Sequence, residues 1–299
     1  MPVTEFKIVQ GADGVYLVKR AVQFQNDPSV TITNMHSTVK LQERAEQNPL
    51  LALVTPVGKS NPHQIDVVIR GGTVRLILPT EGKFLLDLQG LPGVLSLQDM
   101  ALATGVTGDP RGFYYLFVKN PQMDGFVPIG KSILETGKFT ELEVQLVLVD
   151  LYHVLQRMLA NGYVHRNVSS GSIWVNRGNK TIIVADYAGM FKVGPDFPLN
   201  RLPRYNMAPM PFRPPNPSDR LLIDGEQLLS HQIGQLMFYM ITGSFWSKGV
   251  TYSWPIYISS MCRKFTLALL REKGKTKFRK IIKTAFYKES LQKTYEYMR

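Results

Sequence analysis

Cysteine is almost absent from this chain: Cys262 is the single one among 299 residues. One thiol cannot close an internal disulfide or build a cysteine-rich zinc site, and the composition fits a reducing intracellular compartment. No run of about 18 uncharged apolar residues occurs, so no transmembrane helix is expected. Residues 1–20 carry Glu5, Lys7, Asp13, Lys19 and Arg20 with no long apolar stretch, so no signal peptide is expected either. These absences predict a soluble protein of the cytosol or nucleus. Acidic residues are scarce, 23 against 35 Lys and Arg, and the net charge is +12. Residues 257–299 hold twelve Lys/Arg against three Glu, which accounts for nine of those twelve charges. Such an excess suits acidic partners: nucleic acid, an anionic membrane surface or an acidic protein. What the chain does have is 44% apolar content, enough for a sizeable core.

The informative stretch runs from Gly162 to Gly189, GYVHRNVSSGSIWVNRGNKTIIVADYAG. Ser172–Asn176 and Thr181–Ala185 read as two short apolar strands joined by the polar turn Arg177–Lys180. His165-Arg166-Asn167 precedes the first strand, and Asp186-Tyr187-Ala188 follows the second.

This order resembles the catalytic centre of protein kinases, where H-R-D, a downstream Asn and D-F-G meet around ATP and magnesium. The resemblance implies an α+β, two-lobed protein-kinase-like fold with a β-rich N-lobe over 1–120 and a mainly helical C-lobe over 121–299. Other stretches support it. Thr80–Gln89 has helical spacing and matches the αC helix, with Glu81 near the Glu that pairs with the strand Lys. LPGVLSLQD, residues 91–99, resembles the opening of the fourth strand in PIM-like Ser/Thr kinases. GFYYLFVKN, residues 112–120, reads as a buried strand running into the hinge, which makes Val118 and Asn120 nucleotide-contact candidates. Thr140–Asn161 is an amphipathic helix with Leu142, Leu146, Val149, Val154, Leu155 and Met158 near a 3.6 period. Ser230–Gly243 matches helix αF, with Gly234 as its small residue.

The N-terminal region is less regular. Residues 5–24 read as a β-hairpin around Gly11-Ala12-Asp13-Gly14. Gly11 and Gly14 match the last glycines of a phosphate-covering loop, and an ordinary hairpin turn explains the same letters. Residues 25–64 are poorly patterned and read as an insertion or a decorated edge. Asp66–Arg70 is a strand candidate at the place of V-A-I-K, which puts Arg70 where the phosphate-binding Lys belongs or, equally, at a surface strand end.

Several positions depart from the motif. The residue that accepts the substrate proton is Asn167, whose amide can hold a hydroxyl but takes up no proton near neutral pH. Ser169 replaces the Lys beside the transferring phosphate, and Ser172 replaces the Asn that holds a second magnesium. Asp186 survives, either as a turn cap or as a ligand for phosphate-bound magnesium. His165 and Tyr187 read as core residues. Between Ala188 and Arg204 there is no Ser, Thr or Tyr, so Arg166 is expected to make a structural bond rather than to meet a phosphate. RYNMAPM closes the following segment with Met210 in place of Glu, leaving Lys277 or Arg279 as its expected unpaired partner. Leu229 is read at the position of the αF Asp, so the loop is expected to lack that anchor too.

The expected function is therefore a pseudokinase that binds protein partners, with ATP and Mg bound weakly or not at all. Two alternatives stand beside it. One is a divergent active Ser/Thr kinase that borrows another carboxylate, for which Asp150, Asp196 and Asp219 are candidates. The other is nucleic-acid or anionic-surface binding through 257–299, where basic residues interleave with Phe265, Phe278, Phe286, Tyr287, Tyr295 and Tyr297. Compact, degenerate kinases of this kind resemble those carried by large DNA viruses.

Overall fold

A computed structural model describes residues 6–10, 15–19, 31–37, 50–56, 63–69, 72–78, 80–103, 113–187, 190–203, 212, 222–270 and 277–298. The chain divides into two compact units, residues 1–90 with 94–124, and residues 91–93 with 125–299.

The first unit is built on an antiparallel sheet of six strands. In chain order they are β1 (Phe6–Gln10), β2 (Val15–Lys19), β3 (Thr31–Ser37), β4 (Leu50–Pro56), β7 (Leu97–Ala103) and β8 (Phe113–Lys119). Their spatial order is β1-β2-β3-β4-β8-β7. The expected hairpin is present, with Phe6 opposite Lys19 and Gln10 opposite Val15, and its turn, Gly11 to Gly14, lies outside the described residues.

Residues 25–64 behave differently from an edge decoration. They supply β3 and β4, which lie inside the sheet, and β4 pairs along its whole length with β8, from Leu50 opposite Lys119 to Pro56 opposite Phe113. Leu50-Leu51-Ala52-Leu53-Val54 is an unbroken apolar run. It shows no alternation, which is why it escaped the sequence reading. Asp66–Ile69 is a strand as expected, but it stands elsewhere. It belongs to β5 (His63–Ile69), which pairs with β6 (Gly72–Leu78) in a separate two-stranded ribbon. The strands beside β8 are β4 and β7, and neither holds a basic residue. Helix α1 (Thr80–Asp87) follows, burying Phe84 and Leu85.

The second unit is mainly helical. Helix α2 spans Ile129–Thr136 and α3 spans Glu141–Ala160. A capping box starts α3: Thr140 accepts from the Glu143 amide, and the Glu143 carboxylate accepts from the Thr140 amide at 2.8 Å. Val149, Val154, Leu155 and Met158 are buried as their spacing predicts, whereas Leu142, in the first turn, is 45% exposed. Helix α4 covers Gly225–Thr242 and starts one turn before the expected Ser230, because the Asp224 carboxylate caps the Glu226 and Gln227 amides. A Cβ on Gly225 would sit 2.5 Å from a Leu202 methyl and 2.9 Å from the Leu199 carbonyl oxygen, so glycine is required there. Gly234 has the packing role assigned to it: a Cβ would lie 2.8 Å from Leu269 Cβ on helix α5 (Ser260–Leu270).

Helix α6 (Ala285–Tyr297) lies along α3, with Tyr287 edge-on to Tyr152 at 5.1 Å between ring centres. Phe278 closes the same cluster at 4.8 Å from Tyr152. No helix among the described residues is long and apolar enough to cross a membrane.

Candidate functional site

Three short pairings in the second unit build the site. Strand β10 (Tyr163–His165) pairs with β13 (Met190–Lys192), and β11 (Ile173–Asn176) pairs with β12 (Thr181–Val184). β11 also pairs with β9 (Val127–Pro128). The hairpin turn is set locally: the Asn176 side-chain oxygen accepts from the Gly178 and Asn179 amides, and Lys180 takes a φ of +60°. Register then places Ile173 opposite Val184 and brings the residues before β11 against those after β12. The Ala185 amide closes this end by donating to the Ser172 carbonyl at 2.8 Å.

His165, Arg166 and Asn167 are all buried. The Asn167 amide N–H donates to His165 Nδ1 at 3.3 Å, so Nε2 carries the proton and donates to the Asp186 carbonyl at 2.5 Å. Burial pushes the His165 pKa down to about 4, and the neutral ring acts as a spacer between the two loops. The Arg166 guanidinium donates to the Pro203 carbonyl at 2.8 Å and lies 4.7 Å from the centre of the Phe191 ring, which is the structural bond expected of it. Tyr187 is a core aromatic whose hydroxyl donates to the Val184 carbonyl at 2.8 Å.

Asn167 and Asp186 meet directly. The Asn167 side-chain Nδ2 donates to Asp186 Oδ2, while Asn167 Oδ1 is buried without a hydrogen-bond partner. Ser169 and Ser172 are turned into the loop instead of outward. Ser172 Oγ accepts from the Ser169 amide at 2.9 Å and donates to the Asn167 carbonyl, and Ser169 Oγ lies 3.0 Å from Ser172 Oγ. Both hydroxyls are bonded within the turn from Asn167 to Ser172.

The loop also has an anchor that the sequence reading missed. Gln232, fully buried on α4, donates through Nε2 to the Arg166 carbonyl at 2.7 Å and accepts from the Val168 amide at 3.2 Å. Leu229, expected at the anchoring position, is a buried apolar residue one turn earlier. A buried Gln in the run SHQIGQLMFYM was the available signal, since a buried amide must find partners. Nor are Lys277 and Arg279 unpaired: Lys277 Nζ lies 3.2 Å from Oδ2 of Asp224, the α4 cap, and Arg279 Nε 3.7 Å from Oε1 of Glu226 in its first turn. Met210 lies outside the described residues.

The remaining candidates are scattered. Glu81 is in the first turn of α1, and Val118 and Asn120 are buried at the end of β8, all in the first unit. Asn120 Oδ1 accepts from the Gln122 amide at 3.0 Å. Gly11, Gly14 and Arg70 lie outside the described residues, as does Asp219. Of the substitute carboxylates, Asp150 is spent on the Ile182 amide at 2.7 Å, and Asp196 is exposed in a bend. In the basic segment, Phe265, Phe278, Phe286 and Tyr287 are core residues and offer no stacking face, whereas Tyr295 and Tyr297 are exposed.

The donor set does not fit a magnesium pair. Of the two positions that the motif gives to metal, Ser172 offers a neutral hydroxyl already bonded to Asn167, and Asp186 receives an amide proton on one oxygen. Among the described residues no three His, Cys, Asp or Glu side chains gather as a metal-binding group.

A β-rich unit ending in a strand, α1 and the loop–hairpin–loop centred on β11 and β12 together define the two-lobed, α+β protein-kinase fold. The comparison rests on structure: no family model matches the sequence, and no curated protein matches it. The chain is similar to the solved structure of the Cydia pomonella granulovirus kinase PK-1, with a TM-score of 0.62 over 94% of each chain at 11% identity.

Proposed function

We propose that this chain is a pseudokinase, a kinase-fold protein that works by binding partner proteins and transfers phosphate weakly or not at all. The observation that carries the reading is the Asn167 side chain. It stands at the position of the proton acceptor, cannot accept a proton near neutral pH, and directs an amide N–H at Asp186. Losing a general base slows such a step by about 10²–10⁴. The inward-turned Ser169 and Ser172 add to that loss, and Asp150 is not free to substitute. Weak or absent binding of ATP with magnesium belongs to the same proposal, supported by the poor metal donor set. An intracellular setting is supported by the lone, buried Cys262, and a viral source by the likeness to the granulovirus kinase.

The test is transfer of labelled γ-phosphate by the purified chain to a generic protein substrate with magnesium present. Background incorporation is expected, equal in wild type and Asp186→Ala. Robust incorporation that disappears in Asp186→Ala would overturn the reading in favour of a divergent active kinase.

A further inference from the structure

The hydrogen-bond census around Asn167 has a direction. Its backbone N–H is held by His165 Nδ1, its carbonyl by Ser172 Oγ, and its side-chain amide by Asp186 Oδ2. From the other side, the Asp186 carbonyl is held by His165 Nε2. The two loops are thus stitched by the imidazole and by the amide–carboxylate contact. Had position 167 been aspartate, two carboxylates would face each other here. Such a pair is strongly unfavourable unless a proton or a cation lies between them. A carboxamide supplies a donor of the same shape and no charge.

We propose that the Asn167 amide takes over the work a divalent cation does in a catalytic kinase, holding Asp186 against the loop before β11 so that the two loops are set without metal. The proposal deepens the pseudokinase reading and rests on it. Asn167 is a positioning residue in this scheme.

The experiment follows melting temperature of the full chain in EDTA and in millimolar magnesium chloride, at matched ionic strength so that general screening cancels. Wild type is expected to melt at the same temperature in both. Asn167→Asp is expected to melt about 5 °C lower or more in EDTA, and to recover with magnesium, because the new carboxylate pair needs a cation. The double variant Asn167→Asp/Asp186→Asn exchanges amide and carboxylate, so it is expected to regain wild-type melting in EDTA with no response to magnesium. A rise of the wild-type melting temperature with magnesium would overturn the proposal. So would an Asn167→Asp chain indifferent to EDTA, or a double variant no more stable than the single one. Should the single variant fail to fold, wild type and the double variant still decide. Phosphate transfer by the wild-type chain would sink the pseudokinase reading by a separate measurement, so the two failures are distinguishable.

Discussion

Replacing Gln232 by leucine keeps the bulk of the side chain and deletes both of its bonds to the loop before β11. The Val168 N–H would lose its acceptor and the Arg166 carbonyl would lose this donor. Deleting a bond to a buried backbone group costs about 1–3 kcal/mol, so the two lost bonds amount to roughly 4 kcal/mol. For a unit of this size each kcal/mol lowers the melting temperature by about 2–4 °C, which predicts a drop of roughly 10 °C. Thermal unfolding followed by far-ultraviolet circular dichroism measures it, and hydrogen exchange at the Val168 amide localises it. Gln232→Glu supplies the sign. Its carboxylate would accept from Val168 yet face the Arg166 carbonyl oxygen at 2.7 Å, where only a protonated acid can donate. The folded form thus raises its pKa, and the stability gap to wild type widens as pH climbs above about 4.3. A leucine variant melting within about 2 °C of wild type would refute the claim that Gln232 anchors the loop.

Other outcomes follow from groups described above. Burial holds His165 neutral down to a pKa of about 4, whereas the unfolded chain takes up the proton near 6.5. Stability is therefore lost as pH falls from about 6.5 towards 4, by roughly 3 kcal/mol at most, and urea midpoints of His165→Gln are expected to be flatter across that window. Arg177 grips Glu143 through two bonds of 3.0 and 2.8 Å, donates to Thr136 and Gly137, and lies over the Phe139 ring at 4.2 Å. Arg177→Met is expected to lower stability by about 3 kcal/mol in urea titrations, far more than loss of an exposed ion pair. Burial, with Glu141 adding to it, pushes the Cys262 thiol up to about 12. An aromatic disulfide reagent at pH 8 is thus expected to label it on unfolding and not before.

Legibility of the sequence varied with how local the physics was. The β11–β12 hairpin and its flanking loops were readable because two apolar runs, a polar turn and their order all lie within 28 residues. The core roles of His165 and Tyr187 and the structural role of Arg166 followed from that frame. β3 and β4 were not readable, since an apolar run such as Leu50–Val54 has no period of its own and is placed by pairing with β8, some sixty residues on. Leu229 was mistaken for the anchoring position because residues three apart share a helix face, and only the start of α4 at Asp224 fixes which of them reaches the loop. The partners of Lys277 and Arg279 lie 53 residues away in the chain, beyond any local pattern. The unmet amide oxygen of Asn167 is likewise a property of the assembled loops and of no stretch of letters.

The seating of Arg166 carries a last consequence. Its guanidinium is already occupied by a carbonyl and an aromatic face, and the stretch from Ala188 to Arg204 contains no hydroxyl to esterify. Covalent toggling of that stretch by phosphate is chemically closed in both directions, since an upstream enzyme has nowhere to write and a phosphatase nothing to erase. A phosphate switch acting on this part of the molecule would have to be written into residues outside that stretch.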